Sequence, residues 1–293
     1  MSDYYCYLFN QKDPEYALNR LLHNDLFKSL VKEEHEQLAI AVYTVSGNEG
    51  ALKSALYEQS LLHEFDYCLL PKNRSYGPFK LAVFDMDSTL IPIEVIDELA
   101  KQAGVGEEVS EITEAAMRGE LDFNQSLEQR VQQLKGLSVD AIKTVKRQLE
   151  FNPGVEAFCR YFIQQSGKIA IASGGFMPFA EELARRLPFS QLRANRLIYA
   201  DGALTGEVEY PIVNADVKTK SLLEWASVAG LKEQQCIAVG DGANDLKMLQ
   251  QAGIGVAYKA KPTLGKSADC VLNVGYLDSL VNLLPLIEQR HRV

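Results

Sequence analysis

Short apolar runs, each followed by a polar stretch, dominate the pattern of the chain beyond residue 80. They lie at Leu81–Phe84, Lys168–Ala172, Gln235–Val239, Ile254–Ala257 and Cys270–Asn273. Apolar runs without alternation are typical of strands that are buried on both faces of a parallel sheet. Helical patterns at Pro153–Ser166 and Thr219–Ala229 lie between them, and Arg193–Val208 predicts two further short strands. The pattern predicts βαβ units and an α/β fold with a mostly parallel sheet.

A second predicted unit precedes this core. Residues 1–70 predict strands at Tyr4–Phe9, Leu38–Val45 and Phe65–Leu70, with helices at about 14–33 and 48–60. The proline- and glycine-containing stretch 71–78 that follows is typical of a linker. We therefore expect a small N-terminal α/β domain over 1–76, either regulatory or oligomerising, or serving only to stabilise the rest.

A long helical block, residues 93–150, interrupts the core after its first strand. Glycines at 104, 106, 119 and 136 divide it, which predicts four helices. Active sites in open α/β sheets lie at the carboxyl ends of the strands. A block inserted there is a candidate lid over the site.

Charge and cysteine content limit the partners and the compartment. The net charge is −9 with no basic tract, which disfavours nucleic acid as a partner. No apolar run is long enough to cross a bilayer, and the N-terminus lacks a signal-peptide pattern. The five cysteines are scattered and never spaced as CxxC. This favours reduced thiols and a cytoplasmic protein.

Histidine is missing from the region that carries the polar motifs. The four histidines are His23, His35, His63 and His291, so none lies between residues 64 and 290. Chemistry in that region must therefore proceed without imidazole as base or ligand. This disfavours a Ser-His-Asp hydrolase and a histidine-ligated metal.

The first core strand ends in two carboxylates, Asp85 and Asp87. Side chains alternate along a strand, so both point the same way if the strand persists that far. Two like charges repel each other and are costly to desolvate, and a cation would relieve both costs. Mg²⁺ takes such hard oxygen ligands together with waters and a substrate phosphate. The alternative is a strand end whose acids face water.

Two other strand ends carry groups that suit a phosphate. Ser173-Gly174-Gly175 combines a hydroxyl with two glycines, which allows backbone N–H groups to approach an anion closely. Lys218 opens a predicted helix, where a surface lysine is the ordinary interpretation. The stretch 240–245, GDGAND, offers Asp241 as a third oxygen ligand. Asn244 and Asp245 could orient that ligand or the substrate.

Two charged residues of the helical block suit the ends of an amino acid. Arg130 shares a helical face with Phe123, Leu127 and Leu134. Such an arginine either snorkels or pairs with an acid, or else it binds a ligand carboxylate. Glu94 is either a first-turn acid that favours the helix dipole or a partner for an ammonium group.

These motifs, in this order, resemble the haloacid dehalogenase-like phosphohydrolase superfamily, and within it the phosphoserine phosphatases. The resemblance rests on residues 84–90 (FDMDSTL), 173–176 (SGGF), Lys218 and 240–245 (GDGAND). It extends to Glu94, Met117, Phe123 and Arg130 in the helical block. It covers about residues 79–275 and implies a Rossmann-like core with a helical cap at about 92–150, within a phosphatase domain over 77–293.

The resemblance also implies a role for each residue. Asp85 is expected to be the nucleophile that forms an aspartyl-phosphate, and Asp87 the general acid and then the base. Mg²⁺ is expected on Asp85, the backbone carbonyl of Asp87, and Asp241, with Asp245 in support. The remaining residues are expected to bind the phosphoryl group (Ser173, Gly174, Lys218, Asn244) or the rest of the substrate (Glu94, Arg130, Met117, Phe123).

The implied reaction is Mg²⁺-dependent hydrolysis of O-phosphoserine to serine and phosphate. The alternative is the same chemistry, or phosphoryl transfer, on another small phosphomonoester such as phosphohomoserine. We expect neither a nucleic-acid nor a membrane partner, and we leave a homodimer open. The N-terminal 70 residues resemble ACT-like modules only in composition, with three predicted strands where such a module has four.

Overall fold

The computed structural model describes residues 2–11, 14–22, 24–27, 30–37 and 40–291. Within these residues the strands are β1 Ser2–Phe9, β2 Val31–Gln37, β3 Ile40–Gly47, β4 Asp66–Pro71, β5 Leu81–Phe84, β6 Lys168–Phe176, β7 Gln191–Asn195, β8 Leu197–Ala200, β9 Ala203–Val208, β10 Cys236–Gly240, β11 Ile254–Tyr258 and β12 Cys270–Leu272. The α-helices are α1 Pro14–Leu22, α2 Glu49–His63, α3 Val95–Ala103, α4 Gly106–Met117, α5 Phe123–Gln133, α6 Val139–Arg147, α7 Val155–Gln164, α8 Met177–Ala184, α9 Ala215–Val228, α10 Leu246–Gln251, α11 Pro262–Gly265 and α12 Ser279–Arg290. No α-helix in these ranges is long and apolar enough to cross a membrane.

The chain divides into two compact units. The first unit comprises residues 1–83, 153–169 and 222–293, and the second comprises 84–152 and 170–221. Strands β5 and β6 begin in the first unit and end in the second. The predicted α/β fold with a mostly parallel core sheet is confirmed.

The sheet of the first unit contains both an antiparallel and a parallel part. Its strand order is β2-β3-β1-β4-β12-β11-β10, followed by the first residues of β5 and β6. Strands β10, β11 and β12 pair in parallel, and β4 pairs with β12 in antiparallel fashion. All residues of β10, β11 and β12 are buried, as expected for strands covered on both faces.

The described part of the N-terminal segment, up to residue 71, has four strands where the sequence pattern predicted three. The helix predicted over 14–33 is wrong in its second half, because α1 ends at Leu22 and β2 begins at Val31. The letters VKEEHEQ of β2 favour helix by propensity, but the segment pairs with β3 in antiparallel fashion. The order β2-β3-β1-β4 with two helices therefore has the four strands expected of an ACT-like module.

In the second unit, the block inserted after β5 forms the four predicted helices α3, α4, α5 and α6. Gly104 ends α3 in the left-handed conformation, with φ 71°. Asp122 begins α5 with a capping box, in which its carboxylate accepts from the Gln125 amide at 2.9 Å. Both caps are local signals, and for that reason these bounds are predictable from the sequence.

Asp66 is the first residue of β4 and binds the segment after β12, so its removal should destabilise the protein. Its buried carboxylate accepts bonds of 2.6–2.8 Å from the amides of Asn273, Val274 and Gly275 and from the Asn10 side chain. Removal leaves these donors unpaired, and bonds to a charged acceptor contribute about 1.5–3 kcal/mol each. We expect Asp66→Ala to lower the free energy of unfolding by about 3–5 kcal/mol in a urea titration.

The control for this prediction is Asp3→Ala. Asp3 is exposed and accepts a hydrogen bond from the Ser46 hydroxyl. Its removal should change stability by less than about 0.5 kcal/mol. Equal losses in the two variants would contradict the anchoring role of Asp66.

Candidate active site

Asp85 follows the fully buried strand β5 and forms a buried ion pair. Its Oδ2 lies 2.7 Å from Nζ of Lys218, which is fully buried, and its Oδ1 accepts from the Met86 amide at 2.7 Å. A buried lysine is stable only with such a partner. The surface interpretation of Lys218 is therefore wrong. The lysine lies in the first turn of α9 and offsets the charge of the carboxylate.

Asp87 is partly buried, and its surroundings favour the protonated form. Burial is the largest cause and raises the pKa of this carboxyl well above its usual range. The nearby carboxylates of Glu94 and Asp85 raise the pKa further. The Val95 amide, which donates to Asp87 Oδ1 at 3.4 Å, and the Lys218 ammonium act in the opposite direction. A carboxyl whose pKa is raised keeps its proton to higher pH, which suits a general acid.

The Ser173-Gly174-Gly175 stretch lies in the last residues of β6, against both Asp87 and the cap. The Gly175 amide donates to Ser173 Oγ at 2.9 Å. An added Cβ on Gly175 would clash with Oδ2 of Asp87, and one on Gly174 would lie 2.7 Å from the ring of Phe123. The glycines are required by these close approaches, and they bring Ser173, Asp87 and Phe123 to one place.

The cap contributes Arg130 and Glu94, whose charges are close enough to influence each other and Asp87. Burial lowers the pKa of the Arg130 guanidinium, and the carboxylates of Asp97, Glu94 and Asp87 oppose this shift. Arg130 Nε donates to the Ser126 carbonyl at 3.2 Å. Glu94 is exposed, and its Oε1 accepts from the Ser88 hydroxyl at 2.6 Å. A carboxylate and a guanidinium therefore stand near Asp87, as a zwitterionic ligand requires.

Four other predicted site residues lie elsewhere: Met117 is in the cap, and the other three are in the first unit. Met117 ends α4 with 74% of its surface exposed, so its contact with a substrate stays a prediction. Asp241, Asn244 and Asp245 follow β10 in the first unit. Asp245 Oδ2 accepts from the Asp241 and Gly242 amides at 3.2 and 3.1 Å and packs against Gly240. Asp245 therefore holds this loop in its conformation.

The carboxylates that follow β5 in the second unit and β10 in the first are of the kind that suits a hard divalent cation. Asp85, Asp241 and Asp245 offer carboxylate oxygens, and the stretch 64–290 has no histidine. Mg²⁺ prefers oxygen ligands, whereas Zn²⁺ sites typically use cysteine and histidine. The residues present therefore fit Mg²⁺.

A model of the haloacid dehalogenase-like hydrolases matches residues 79–253, more than half of the chain. The chain is a haloacid dehalogenase-like hydrolase. The match includes the strand ends that carry Asp85, Ser173 and Asp241, and the first turn of α9, which carries Lys218. It confirms the family resemblance that the motifs indicated.

Relatives of this haloacid dehalogenase-like hydrolase include the phosphoserine phosphatase SerB2 of Mycobacterium tuberculosis. The two are 42% identical over 247 residues, 84% of this chain, and the chain spans 60% of the length of that relative. The unliganded structure of a probable phosphoserine phosphatase from Vibrio cholerae is similar over 98% of this chain and 87% of its own (33% identity, TM-score 0.76). A phospho-aspartyl intermediate analogue of phosphoserine phosphatase is similar over 71% of this chain and 99% of its own (37% identity, TM-score 0.66).

Sequence reasoning did not assign two residues of this haloacid dehalogenase-like site. Ser88 adopts a φ of 55° and holds Glu94 through its hydroxyl. Gly175 supports Asp87. No local sequence signal predicts that Ser88 adopts a left-handed conformation. Gly175 does carry a signal, because two adjacent glycines indicate that another group approaches the backbone closely.

Gly175→Ala should impair catalysis because its methyl group would displace the Asp87 carboxylate. A displacement of about 1 Å costs up to 100-fold in rate, so we expect turnover to fall by about 10- to 100-fold. The measurement is steady-state kinetics on a phosphomonoester. The control is Gly136→Ala. An added Cβ at Gly136 would meet no atom within 4 Å, so this substitution introduces only the backbone strain of a φ of 85°. A rate within threefold of the wild type for Gly175→Ala would contradict the contact.

Proposed function

We propose that this haloacid dehalogenase-like hydrolase is a phosphoserine phosphatase, which hydrolyses O-phospho-L-serine to L-serine and phosphate and so completes L-serine biosynthesis. The observation that carries the proposal is the buried Asp85–Lys218 pair at 2.7 Å beside Asp87, whose pKa is raised. The Lys218 ammonium offsets the charge of one carboxyl group, and burial raises the pKa of the other. The names of the relatives supply the substrate.

The two acids divide the reaction into two displacements. In the first, a carboxylate oxygen of Asp85 bonds to phosphorus, the bond to the serine oxygen breaks, and Asp87 gives its proton to that oxygen. In the second, Asp87 takes a proton from water, the water oxygen bonds to phosphorus, and the bond to Asp85 breaks. Lys218, Ser173, the Gly174 backbone and Asn244 would bind the phosphoryl oxygens, whose charge they offset.

We propose Mg²⁺ as the cofactor of this chain. Asp85, the backbone carbonyl of Asp87, and Asp241 would hold the ion, and Asp245 would support the loop of Asp241. When bound, the ion offsets the repulsion between a carboxylate and a phosphate dianion. Hard carboxylate oxygens at the strand ends support this assignment.

The two ends of the amino acid would be bound by the cap. Glu94 would accept from the substrate ammonium, and Arg130 would donate to its carboxylate. Phe123, whose ring lies against Gly174, would pack on the substrate beside the phosphoryl group, and Met117 would join it from the cap. Phosphohomoserine, one methylene longer, is the alternative substrate with the same two end groups.

The test of the activity is phosphate release from a panel of phosphomonoesters. We expect O-phospho-L-serine to be hydrolysed with the highest kcat/KM, above phosphohomoserine and O-phosphoethanolamine. Chelation of divalent cations should abolish turnover, and Mg²⁺ should restore it. Turnover that persists in excess chelator would contradict the requirement for Mg²⁺. A preference for another ester would contradict the assignment of O-phospho-L-serine as the substrate.

Arg130→Ala should selectively impair the hydrolysis of phosphoserine, because the variant loses only the contact with the substrate carboxylate. A charge-assisted bond contributes about 1.5–3 kcal/mol, so kcat/KM for phosphoserine should fall by about 10- to 150-fold. O-Phosphoethanolamine keeps the ammonium and the phosphate but lacks the carboxylate, and its kcat/KM should change by less than about fivefold. The measurement is the ratio of the two kcat/KM values.

The control for Arg130 is Arg118→Ala in the same cap. Arg118 is exposed and pairs with Glu120 at 2.6 Å. Its removal should leave both kcat/KM values unchanged. Equal losses on the two substrates in Arg130→Ala would contradict a carboxylate contact.

We further propose that residues 1–76 form an ACT-like module and that residues 77–293 form the phosphatase domain. We also propose that the protein is a homodimer, which light scattering would test. The strand order β2-β3-β1-β4 supports the module. The five cysteines are free and buried, which supports a reducing, cytoplasmic compartment.

A further inference from the structure

Asn195 ends β7, and both ends of its side-chain amide are hydrogen-bonded. The side chain is almost fully buried, with 1% of the residue exposed. Its Nδ2 donates to the Gly174 carbonyl at 2.8 Å, and its Oδ1 accepts from the Val213 amide at 2.8 Å. One side chain therefore joins β6 to the segment that precedes α9.

On the β6 side, Asn195 holds the peptide between Gly174 and Gly175 in one orientation. The oxygen of that peptide is bonded to Asn195, and its N–H donates to Ser173 Oγ at 2.9 Å. Because Ser173 Oγ accepts this bond, its own hydrogen must point elsewhere and can donate to a phosphoryl oxygen. The orientation of the peptide thus sets the orientation of the hydroxyl.

On the α9 side, Asn195 holds the residue before the helix cap. Asn214 follows Val213, and its Oδ1 accepts from the Asp216 and Val217 amides at 3.1 and 3.2 Å. Its carbonyl accepts from the Lys218 amide at 2.9 Å. A shift of Val213 would therefore move the first turn of α9, and Lys218 with it.

We propose that Asn195 is a positioning residue that aligns the two halves of the phosphoryl-binding site, Ser173 with the Gly174-Gly175 peptide on one side and Lys218 on the other. Ser173 and Lys218 reach the phosphoryl group from different elements, so their relative placement is not set by local geometry. Anion binding by fixed donors depends on that placement, because donors held in place need no reorganisation during the reaction. This inference rests on the proposed phosphatase activity.

The test compares three single variants in the intact protein with Mg²⁺ present. Asn195→Ala removes both bonds. Asn195→Asp keeps the acceptor for Val213 but cannot donate to Gly174, and it has the same size as asparagine. Asn10→Ala is the matched control: Asn10 also donates two side-chain bonds, to Asp66 and Ser279 at 2.7 and 2.8 Å, and neither partner is a proposed site residue.

The main readout is the affinity for orthovanadate, measured by calorimetry, because this phosphate analogue needs no turnover. We expect Asn195→Ala to weaken orthovanadate binding by about 10- to 30-fold and Asn195→Asp by at least as much. The kcat/KM values for O-phosphoserine and for p-nitrophenyl phosphate should fall by the same factor as each other. Inhibition by L-serine, which binds at the cap end, should change by less than twofold.

A purely structural role predicts a different pattern. Circular dichroism identifies a temperature at which the variants are folded, and all measurements are made there. If Asn195→Ala does not fold, Asn195→Asp is used in its place. Orthovanadate affinity within twofold of the wild type in the folded Asn195 variant would overturn the proposal. So would an equal loss of L-serine affinity, or the same loss of orthovanadate affinity in Asn10→Ala.

The substrate assignment fails separately. If the wild type hydrolyses p-nitrophenyl phosphate but not O-phosphoserine, the proposed function is wrong in its substrate. The orthovanadate comparison then still decides the role of Asn195, because it concerns only the phosphoryl end.

Discussion

Asp85→Asn should abolish phosphate release, with kcat reduced by about 10⁴-fold or more. An amide oxygen is a far weaker nucleophile than a carboxylate, and the first displacement cannot begin without a bond from Asp85 to phosphorus. The size of the effect follows from the slowness of uncatalysed phosphomonoester hydrolysis, which leaves almost no background rate. The measurement is phosphate release from O-phosphoserine over hours at high enzyme concentration. Retained turnover within 100-fold of the wild type would exclude Asp85 as the nucleophile.

The same substitution has a second expected result, on stability. Lys218 is fully buried and loses its carboxylate partner at 2.7 Å in Asp85→Asn. Removal of one member of a buried pair costs about 3–5 kcal/mol, whereas replacement of both members by apolar groups is often nearly neutral. We expect Asp85→Asn and Lys218→Met each to lower the free energy of unfolding, and the double variant to recover part of the loss. Urea unfolding of the four proteins completes this cycle.

Asp87→Asn should reduce turnover of O-phosphoserine by about 10³- to 10⁴-fold, because the serine oxygen leaves only with a proton. p-Nitrophenolate leaves without one, so the first step on p-nitrophenyl phosphate should remain fast in this variant. The second step still needs Asp87 as a base. We therefore expect a burst of one p-nitrophenolate per site followed by slow turnover, in stopped-flow absorbance.

The control for Asp87 is Asp140→Asn. Asp140 is exposed in the first turn of α6 and pairs with Lys143 at 2.8 Å. This variant should show wild-type steady-state rates and no burst. Absence of a burst in Asp87→Asn, with equal losses on both substrates, would show that Asp87 does not act through the leaving group.

Local patterns predicted most elements of the core and the cap. The apolar runs identified β5, β10, β11 and β12 because strands buried on both faces cannot carry polar residues. Glycines divided the cap helices where predicted, since a left-handed C-cap such as Gly104 acts within one turn. The polar residues that follow those strands stood out for the same reason, and they led to Asp85 and Asp87.

Pairing between distant segments decided what local patterns could not. The residues of β2 favour a helix by propensity, and the segment is a strand only because it pairs with β3. Lys218 reads as a surface lysine, and only its approach to Asp85 shows that it is buried. The predicted end of β6 at Ala172 was also short, because β6 continues through the glycines to Phe176 with an irregular register against β7.

The sequence by itself determined the fold class, the order of the motifs and the acids of the proposed site, because these depend on residue types and short spacings. Only the tertiary structure decided that Lys218 pairs with Asp85, that Gly175 lies against Asp87 and that Asn195 joins β6 to the segment before α9. The physical reason is that a hydrogen bond or ion pair between residues 18 to 133 positions apart depends on where the chain returns, which no short window of sequence contains.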